Sequence, residues 1–461
     1  MTEFITIQVG QCGNQIGGTF WPSVLEEYGF EVDSKRKVNN RRQFLNPDFD
    51  SSFRSFFSVP TDVKCSNLIT LADLKESNVK ARSILVDMED SVVMKLRTGP
   101  LRDFFDDKCI ITNYPGSGNN WAEGYCQHGP LYNDSILRSI QRAVDKCDSL
   151  QGFIMLFSVG GGTGSGLGTY ILKLLDEYFP KIERFVSCVY PTGTEDVITC
   201  PYNVALATKQ MIEHANCVFP VENRALSDIV TQHIFKNSEI VEYKPFESMN
   251  NLVSKMLLHL TSGSRFGGSM NVDINEISTN MVPFPKLHFL STSFSPVVES
   301  PFKPVLQSNS QHIKDEMFRN SCSRNRQLLK IDPLNLNSVL LGICLMGRGD
   351  FTVSDMRNYV NHLQQKGSFT RWSHKAIKVG LCNTPPVNHS SAFLSLFNST
   401  ALGAHFSYIL NQYKRLYKKK AHVHHYTKVP GFDEHLFEEC QNSLLDNIQL
   451  YKEMEKCKLP V

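Results

Sequence analysis

Through the first half of the chain, short apolar runs alternate with stretches whose apolar positions recur every three or four residues. These are the signatures of buried strands and of the helices that cover them. Phe4 to Val9 alternates apolar and polar positions, and Ser83 to Val86, Cys109 to Asn113, Phe153 to Phe157, Arg184 to Tyr190 and Cys217 to Val221 read as further strands. Ile16 to Tyr28, Leu167 to Phe179 and Asn203 to Ala215 carry the helical spacing. The alternation predicts an α/β fold with a mostly parallel sheet covered on both faces, whose strand-end loops share one rim. Between about Asp33 and Asn78 the sequence is polar and broken by Pro47 and Pro60. It reads as a surface excursion pinned to the body by Phe49, Phe53, Phe56 and Phe57.

Further on, Phe246 to Thr261 predicts a long helix with Phe246, Asn250, Val253, Leu257 and Leu260 on one face. From about Lys286 a second set begins, with strands over Leu287 to Ser291, Val339 to Met346 and Ala376 to Cys382. The segment Ser293 to Pro304 holds three prolines and fits no regular element. Ser399 to Val461 reads as helices only, and includes the basic run Lys414-Arg415-Leu416-Tyr417-Lys418-Lys419-Lys420. That run is either a solvated helix face or a docking surface for an acidic partner.

Composition narrows the class. At 461 residues, 41% hydrophobic and 20% charged, the chain reads as a soluble protein of two or three domains. A net charge of +2 supplies no global argument for nucleic acid or a membrane surface. Thirteen cysteines without a CxxC pair fit neither a disulfide framework nor a zinc ribbon, and read as free thiols in a reducing compartment. No signal peptide and no membrane span are expected, which places the protein in the cytosol.

The chemistry centres on Gly160-Gly161-Gly162-Thr163-Gly164-Ser165-Gly166, set between a predicted strand and a predicted helix. Glycines let backbone amides approach a phosphate closely, the helix start adds its dipole, and Thr163 and Ser165 add hydroxyls. No lysine follows the last glycine, so this is not a Walker loop, and no GxGxxG appears, which disfavours an NAD enzyme. The charge is then met by backbone amides and a metal. Two further loops join it. Gly10-Gln11-Cys12-Gly13-Asn14-Gln15 follows the first strand, with Gln11 and Gln15 one helical turn apart. Gly116 to Trp121, containing Asn119, offers more amides. Asp87 and Glu89 sit at the end of a strand and suit Mg²⁺ through water, or form a solvated acidic turn. Asn250 is either a satisfied core amide or a reader of a base edge, with Phe246 stacking on the ring.

In order along the chain, Gly10 to Gly17, Asp87-Met88-Glu89, Gly116 to Trp121, Gly160 to Gly166, Pro201-Tyr202-Asn203, Asn271-Val272-Asp273 and Met281 to Pro285 resemble the motifs of the tubulin family. Leu101-Arg102-Asp103, Arg415 to His422 with His424-His425-Tyr426, and the expanded segment near 33–66 resemble its epsilon branch, with the delta branch next. The resemblance implies a tubulin/FtsZ-like GTPase domain over 1–223, a core helix and second α/β domain over 224–398, and C-terminal helices over 399–461. It implies that Gln11, Cys12, Gln15, Asn119, Ser158 and Gly160 to Gly166 hold GTP or GDP, with Asn223, Phe246 and Asn250 on guanine. Glu89 and Asp87 would act on Mg²⁺. Glu276, in Asn271-Val272-Asp273-Ile274-Asn275-Glu276, matches the alpha-type glutamate that acts in trans on the nucleotide of the next subunit. From the residues alone, Asp273 and Glu276 also make a good helix start.

The implied partners are other tubulins, with a delta-type chain as a longitudinal neighbour, and centriolar or basal-body microtubules in centrosome or cilium. A GTP-bound cap or adaptor that never hydrolyses is the alternative. Three departures bear on this. Cys200 stands where alpha and beta chains carry a glutamate near the ribose, Ser293 to Pro304 does not resemble the lateral-contact loop, and the basic end Lys456 to Val461 lacks an acidic tail.

Overall fold

The protein is described from a computed structural model, over residues 2–32, 48–193, 196–234, 244–297 and 310–459. Six strands form the first sheet: β1 (Glu3–Val9), β2 (Ser83–Asp87), β3 (Ile110–Thr112), β4 (Leu150–Ser158), β5 (Glu183–Tyr190) and β6 (Cys217–Glu222). All neighbours are parallel, in the order β3-β2-β1-β4-β5-β6. Buried on both faces, β2, β4 and most of their neighbours are apolar at nearly every position and read as continuous runs, whereas β1 alternates because its polar Thr6 and Gln8 are buried as well. Side chains alternate across the sheet. Ile154 and Leu156 meet α1 (Gly10–Glu27) through Phe20 and Val24 and α7 (Pro245–Leu260) through Val253 and Leu257. Phe153, Met155 and Phe157 face the other layer, with α4 (Gly168–Tyr178), α5 (Cys200–His214) and the C-terminal helices α11 (Leu402–Tyr417) and α12 (His435–Glu455). Between these lie α2 (Asp90–Thr98), α3 (Gly129–Val144) and α6 (Asn223–Ile234).

The second sheet is mixed. It contains β7 (Ser291–Ser295), β8 (Leu340–Gly349), β9 (Ile377–Cys382) and β10 (Ser391–Ser399), in the order β9-β8-β10-β7, with α8 (Ile274–Met281), α9 (Ser310–Ser321) and α10 (Val353–Lys366). Only β8 and β9 run parallel. The two sheets touch where Val218 N donates to His288 O (2.9 Å) and Leu290 N to Val218 O (2.8 Å). A buried ion cluster also spans them: Glu27 of α1 accepts from Arg265 at 2.6 Å and from Arg348 of β8 at 2.8 Å. The two guanidiniums hold its carboxyl below the usual range against the opposing cost of burial. Removing one partner from such a cluster costs about 3–5 kcal/mol, because a buried charge is left uncompensated.

Four expectations change. Gly10 to Gln15 is not a loop: α1 begins at Gly10, whose φ of 72° turns the chain from strand into helix without a linker. The strand expected over Leu287 to Ser291 lies later, at Ser291–Ser295, because the preceding residues spend their hydrogen bonds on β6. Ser293 to Ser295 therefore belong to a strand, and residues 298–304 lie outside the described residues. The aromatic residues of the excursion do more than pin a surface loop. Phe49, Phe53, Phe56 and Phe57 are buried, with Phe53 stacked on Phe57 at 4.6 Å and edge-on to Tyr28 at 5.2 Å, forming the end of the core beyond α1. Residues 33–47 of the excursion lie outside the described residues. Finally, β10, central to the second sheet, has no counterpart among the predicted strands. Among the described residues, no helix is long and apolar enough to cross a membrane.

Candidate nucleotide site

A cleft of about 1040 Å³ opens at the carboxyl ends of the first sheet. Strand order reverses between β1 and β4, and in open α/β sheets ligands bind outside the strand ends at such a switch point. The start of α1 and the loops leaving β2, β3, β4 and β5 all reach it, joined by the starts of α6 and α7. Of the predicted residues, Gln11, Cys12, Gln15, Asp87, Glu89, Asn119, Ser158, Gly160, Gly161, Gly162, Thr163, Gly164, Asn223, Phe246 and Asn250 line it.

The glycine loop is interlocked with its neighbour rather than free. A Cβ on Gly162 would stand 2.6 Å from Ser117 O and 2.7 Å from Asn120 N, and one on Gly164 would stand 2.7 Å from Ser158 O. Two loops can approach this closely only where side chains are missing. Thr163 Oγ1 and Ser117 Oγ lie 3.0 Å apart, and Ser117 Oγ lies 3.0 Å from His128 Nδ1. Burial holds the His128 imidazole below its ordinary pKa. Ser165 and Gly166 sit behind the lining. The Ser165 hydroxyl donates to Gly161 O, and Gly166 packs against Trp121 O and Gly124. Ser165 therefore shapes the loop instead of facing the cleft.

One clamp stands in the Pro201-Tyr202-Asn203 motif but was given no role from the sequence. Asn203, fully buried on α5, donates to Asn119 O (2.8 Å) and Gly160 O (2.9 Å). Its Oδ1 accepts from Trp121 N (2.9 Å) and Tyr426 Oη (2.6 Å). It thus joins both phosphate-type loops to the C-terminal segment. Asn119 holds a left-handed φ of 53°, a conformation that asparagine tolerates better than most residues. Lys95 of α2 and Lys244 at the rim also line the cleft and were not predicted, since each lies in a stretch that carries no motif.

At the acidic end, Asp87 is 2% exposed. Its Oδ1 accepts from Glu89 N at 3.2 Å and its Oδ2 has no hydrogen-bond partner. Burial pushes its carboxyl up to about 7. An orphaned oxygen of this kind, beside a second carboxylate in a cleft, fits a hard divalent cation. The Cys12 thiol is pushed up to about 12 by burial, so it is neutral. Cys200 lines the cleft beside Gly160 with Pro191 and Val197, an apolar stretch of wall.

The opposite end is open. Asn223 begins α6, and Phe246 and Asn250 lie on the first turns of α7. Phe246 is 66% exposed and Asn250 half-buried, so neither is an ordinary core residue. Glu276 is remote from the cleft. Asp273 caps α8 by accepting from Glu276 N at 2.7 Å, and the Glu276 carboxylate pairs with Lys378 of β9 at 3.0 Å. Both roles open in the sequence are thus compatible with one residue: its backbone serves the helix start while its carboxylate stays half-exposed.

Comparison with known proteins agrees with this architecture. The GTPase domain of the Tubulin/FtsZ family matches residues 3–231, and the tubulin C-terminal domain matches residues 285–411. The chain is similar to the tubulin epsilon chain of Homo sapiens, 41% identical over 489 residues, covering 100% of this chain and 98% of that one. The tubulin epsilon chain of Mus musculus is 40% identical over 488 residues with the same coverage. The tubulin alpha-1 chain of Schizosaccharomyces pombe is 32% identical over 468 residues, covering 98% of this chain and 96% of that one. An α/β sheet with a nucleotide-sized cleft at its switch point, and full-length similarity of this degree, lead to one conclusion: the chain belongs to the tubulin family.

Proposed function

We propose that this tubulin is of the epsilon type and holds GTP or GDP in the cleft, phosphates against the amides of Gly160 to Gly164 with Gln11, Gln15, Asn119 and Ser158, and guanine against Asn223, Asn250 and Phe246. The observation that carries the reading is the interlocking of the two glycine-bearing loops, since their close approach leaves backbone N–H groups as the natural partners of a phosphate. Asp87 and Glu89 would hold Mg²⁺, which when bound supplies charge neutralisation for the phosphates. Guanine presents adjacent N–H donors and an O6 acceptor, and two carboxamides can answer both. Adenine would leave those amides mispaired, so the site should reject it.

Hydrolysis, in this reading, belongs to assembly. Glu276 lies outside its own cleft, half-exposed, where a carboxylate can orient or deprotonate a water at the nucleotide of a neighbouring subunit. The neighbour would be another tubulin, with a delta-type chain as the candidate, in centriolar or basal-body microtubules of the centrosome or cilium. A second reading, a GTP-bound cap that does not hydrolyse, is favoured by the Lys378 ion pair, which occupies the Glu276 carboxylate. Equilibrium titration with GTP and ATP tests the site. GTP is expected to bind and ATP not, with the preference lost in Asn223→Ala/Asn250→Ala; ATP binding as tightly as GTP would refute the guanine assignment.

A further inference from the structure

The carboxyl end of α11 and the turn after it carry Lys414, Arg415, Lys418, Lys419 and Lys420 within one short stretch, and Lys428 follows in the same segment. All but Lys414 are exposed. Lys420 pairs with Glu434 at 2.6 Å and lies 4.5 Å from the centre of the Tyr417 ring. Among the described residues, no carboxylate pairs with the other five. The whole chain balances 48 basic against 46 acidic residues, so this excess is local. A helix carboxyl end carries only about half a negative charge, which one cation answers. Like charges this close along the chain repel, so the remainder form a standing cost that an anion would relieve.

The backbone beneath these cations is held in place. Ala421 O accepts from Tyr202 Oη at 2.8 Å, His425 O accepts from Asn120 Nδ2 at 2.9 Å, and Tyr426 Oη donates to Asn203. Lys420 and His422 take left-handed φ values of 50° and 60°, which fold the chain back at the helix end. A charged surface on a fixed backbone loses less freedom when a partner arrives.

We propose that this surface docks an extended, acidic polypeptide segment rich in glutamate or aspartate. Five of the six cations are lysines, flexible point charges that pair with acidic side chains one at a time and impose no fixed geometry on the partner. Single-stranded nucleic acid also relies on free aromatic faces for stacking; here the Tyr417 ring is covered by Lys420, and the exposed His424 and His425 rings lie against each other with centres 4.0 Å apart.

The test is fluorescence anisotropy of the full chain with a labelled glutamate-rich peptide. Binding is expected to weaken steeply as salt rises, because the contacts are exposed. Arg415→Glu/Lys418→Glu/Lys419→Glu should lower the affinity at least about tenfold, and the milder Gln versions should lower it less. Lys64→Glu/Lys181→Glu/Lys375→Glu, with the same change of net charge on exposed lysines elsewhere, should leave it nearly unchanged. Equal loss in both triple variants, or no peptide binding at low salt, would overturn the proposal. Tighter binding of a single-stranded RNA of equal charge would overturn the class of partner.

Discussion

At the phosphate end of the cleft, backbone meets backbone, and at the base end three side chains project into an opening. Around Gly160 to Gly164 the loops lie so close that a single Cβ at Gly162 would collide with Ser117 and Asn120, and Asn203 bonds both loops from behind. Phe246 stands exposed with Asn250 half-buried one turn along α7. The first end is held by contacts within the chain, and the second is open; in the proposed reading, bound guanine covers it. Changes at the first should therefore cost both folding and binding, while changes at the second should cost binding alone.

The comparison is broken most severely by Gly162→Ala. Forcing the loops apart should weaken GTP binding about 100-fold, near the upper end of the roughly 1–3 kcal/mol that overpacking costs; titration of GTP reads it. Asn203→Ala comes next. It strands Trp121 N and the Asn119 and Gly160 carbonyls in the interior, and should cost about 2–3 kcal/mol of stability in denaturant unfolding. A variant as stable as the parent would show that the clamp is not structural.

The acidic end sharpens the comparison through pH. Asp87 is held near 7 by burial, above its ordinary value, so the fold favours its proton. Stability from that proton is full below the ordinary carboxyl range and is lost as pH rises through about 7. A divalent cation needs the carboxylate, so the stabilisation that Mg²⁺ gives the GTP-bound protein should grow as pH rises through about 7. In Asp87→Asn that growth should disappear, as read by the Mg²⁺-induced shift in thermal unfolding. Phe246→Ala should weaken GTP binding by about 1 kcal/mol and leave stability within about 0.5 kcal/mol. The smallest effect is expected for Glu276→Ala in the isolated subunit. It breaks a surface pair worth about 0–1 kcal/mol and should leave GTP affinity untouched. Turnover in an assembled polymer should fall if Glu276 acts in trans, and should stay constant in the capping reading.

Much of the phosphate end was legible because its constraint is local and steric: glycines crowd only where backbone must approach backbone, and such crowding is visible in a string. Most strands of the first sheet were legible for a related reason, since burial on both faces leaves an apolar run, and β1 was legible by its alternation. Asn203, Lys95 and Lys244 were not, because their roles depend on which distant loops the fold brings beside them. The strand β10 was hidden for another reason. Ser391, Ser395, Asn398 and Ser399 are buried and all four find partners in segments distant along the chain, so polar letters interrupt a strand that is entirely interior. Ser165 shows the converse, a hydroxyl in the right motif whose bond turns back into its own loop.

The central claim, a guanine-nucleotide site at the switch point of the first sheet, is tested most directly by denaturing the purified protein and identifying the nucleotide it releases by ion-exchange chromatography. The account predicts GTP or GDP close to one per chain. An adenine nucleotide, or no nucleotide together with no GTP uptake in the presence of Mg²⁺, would contradict it.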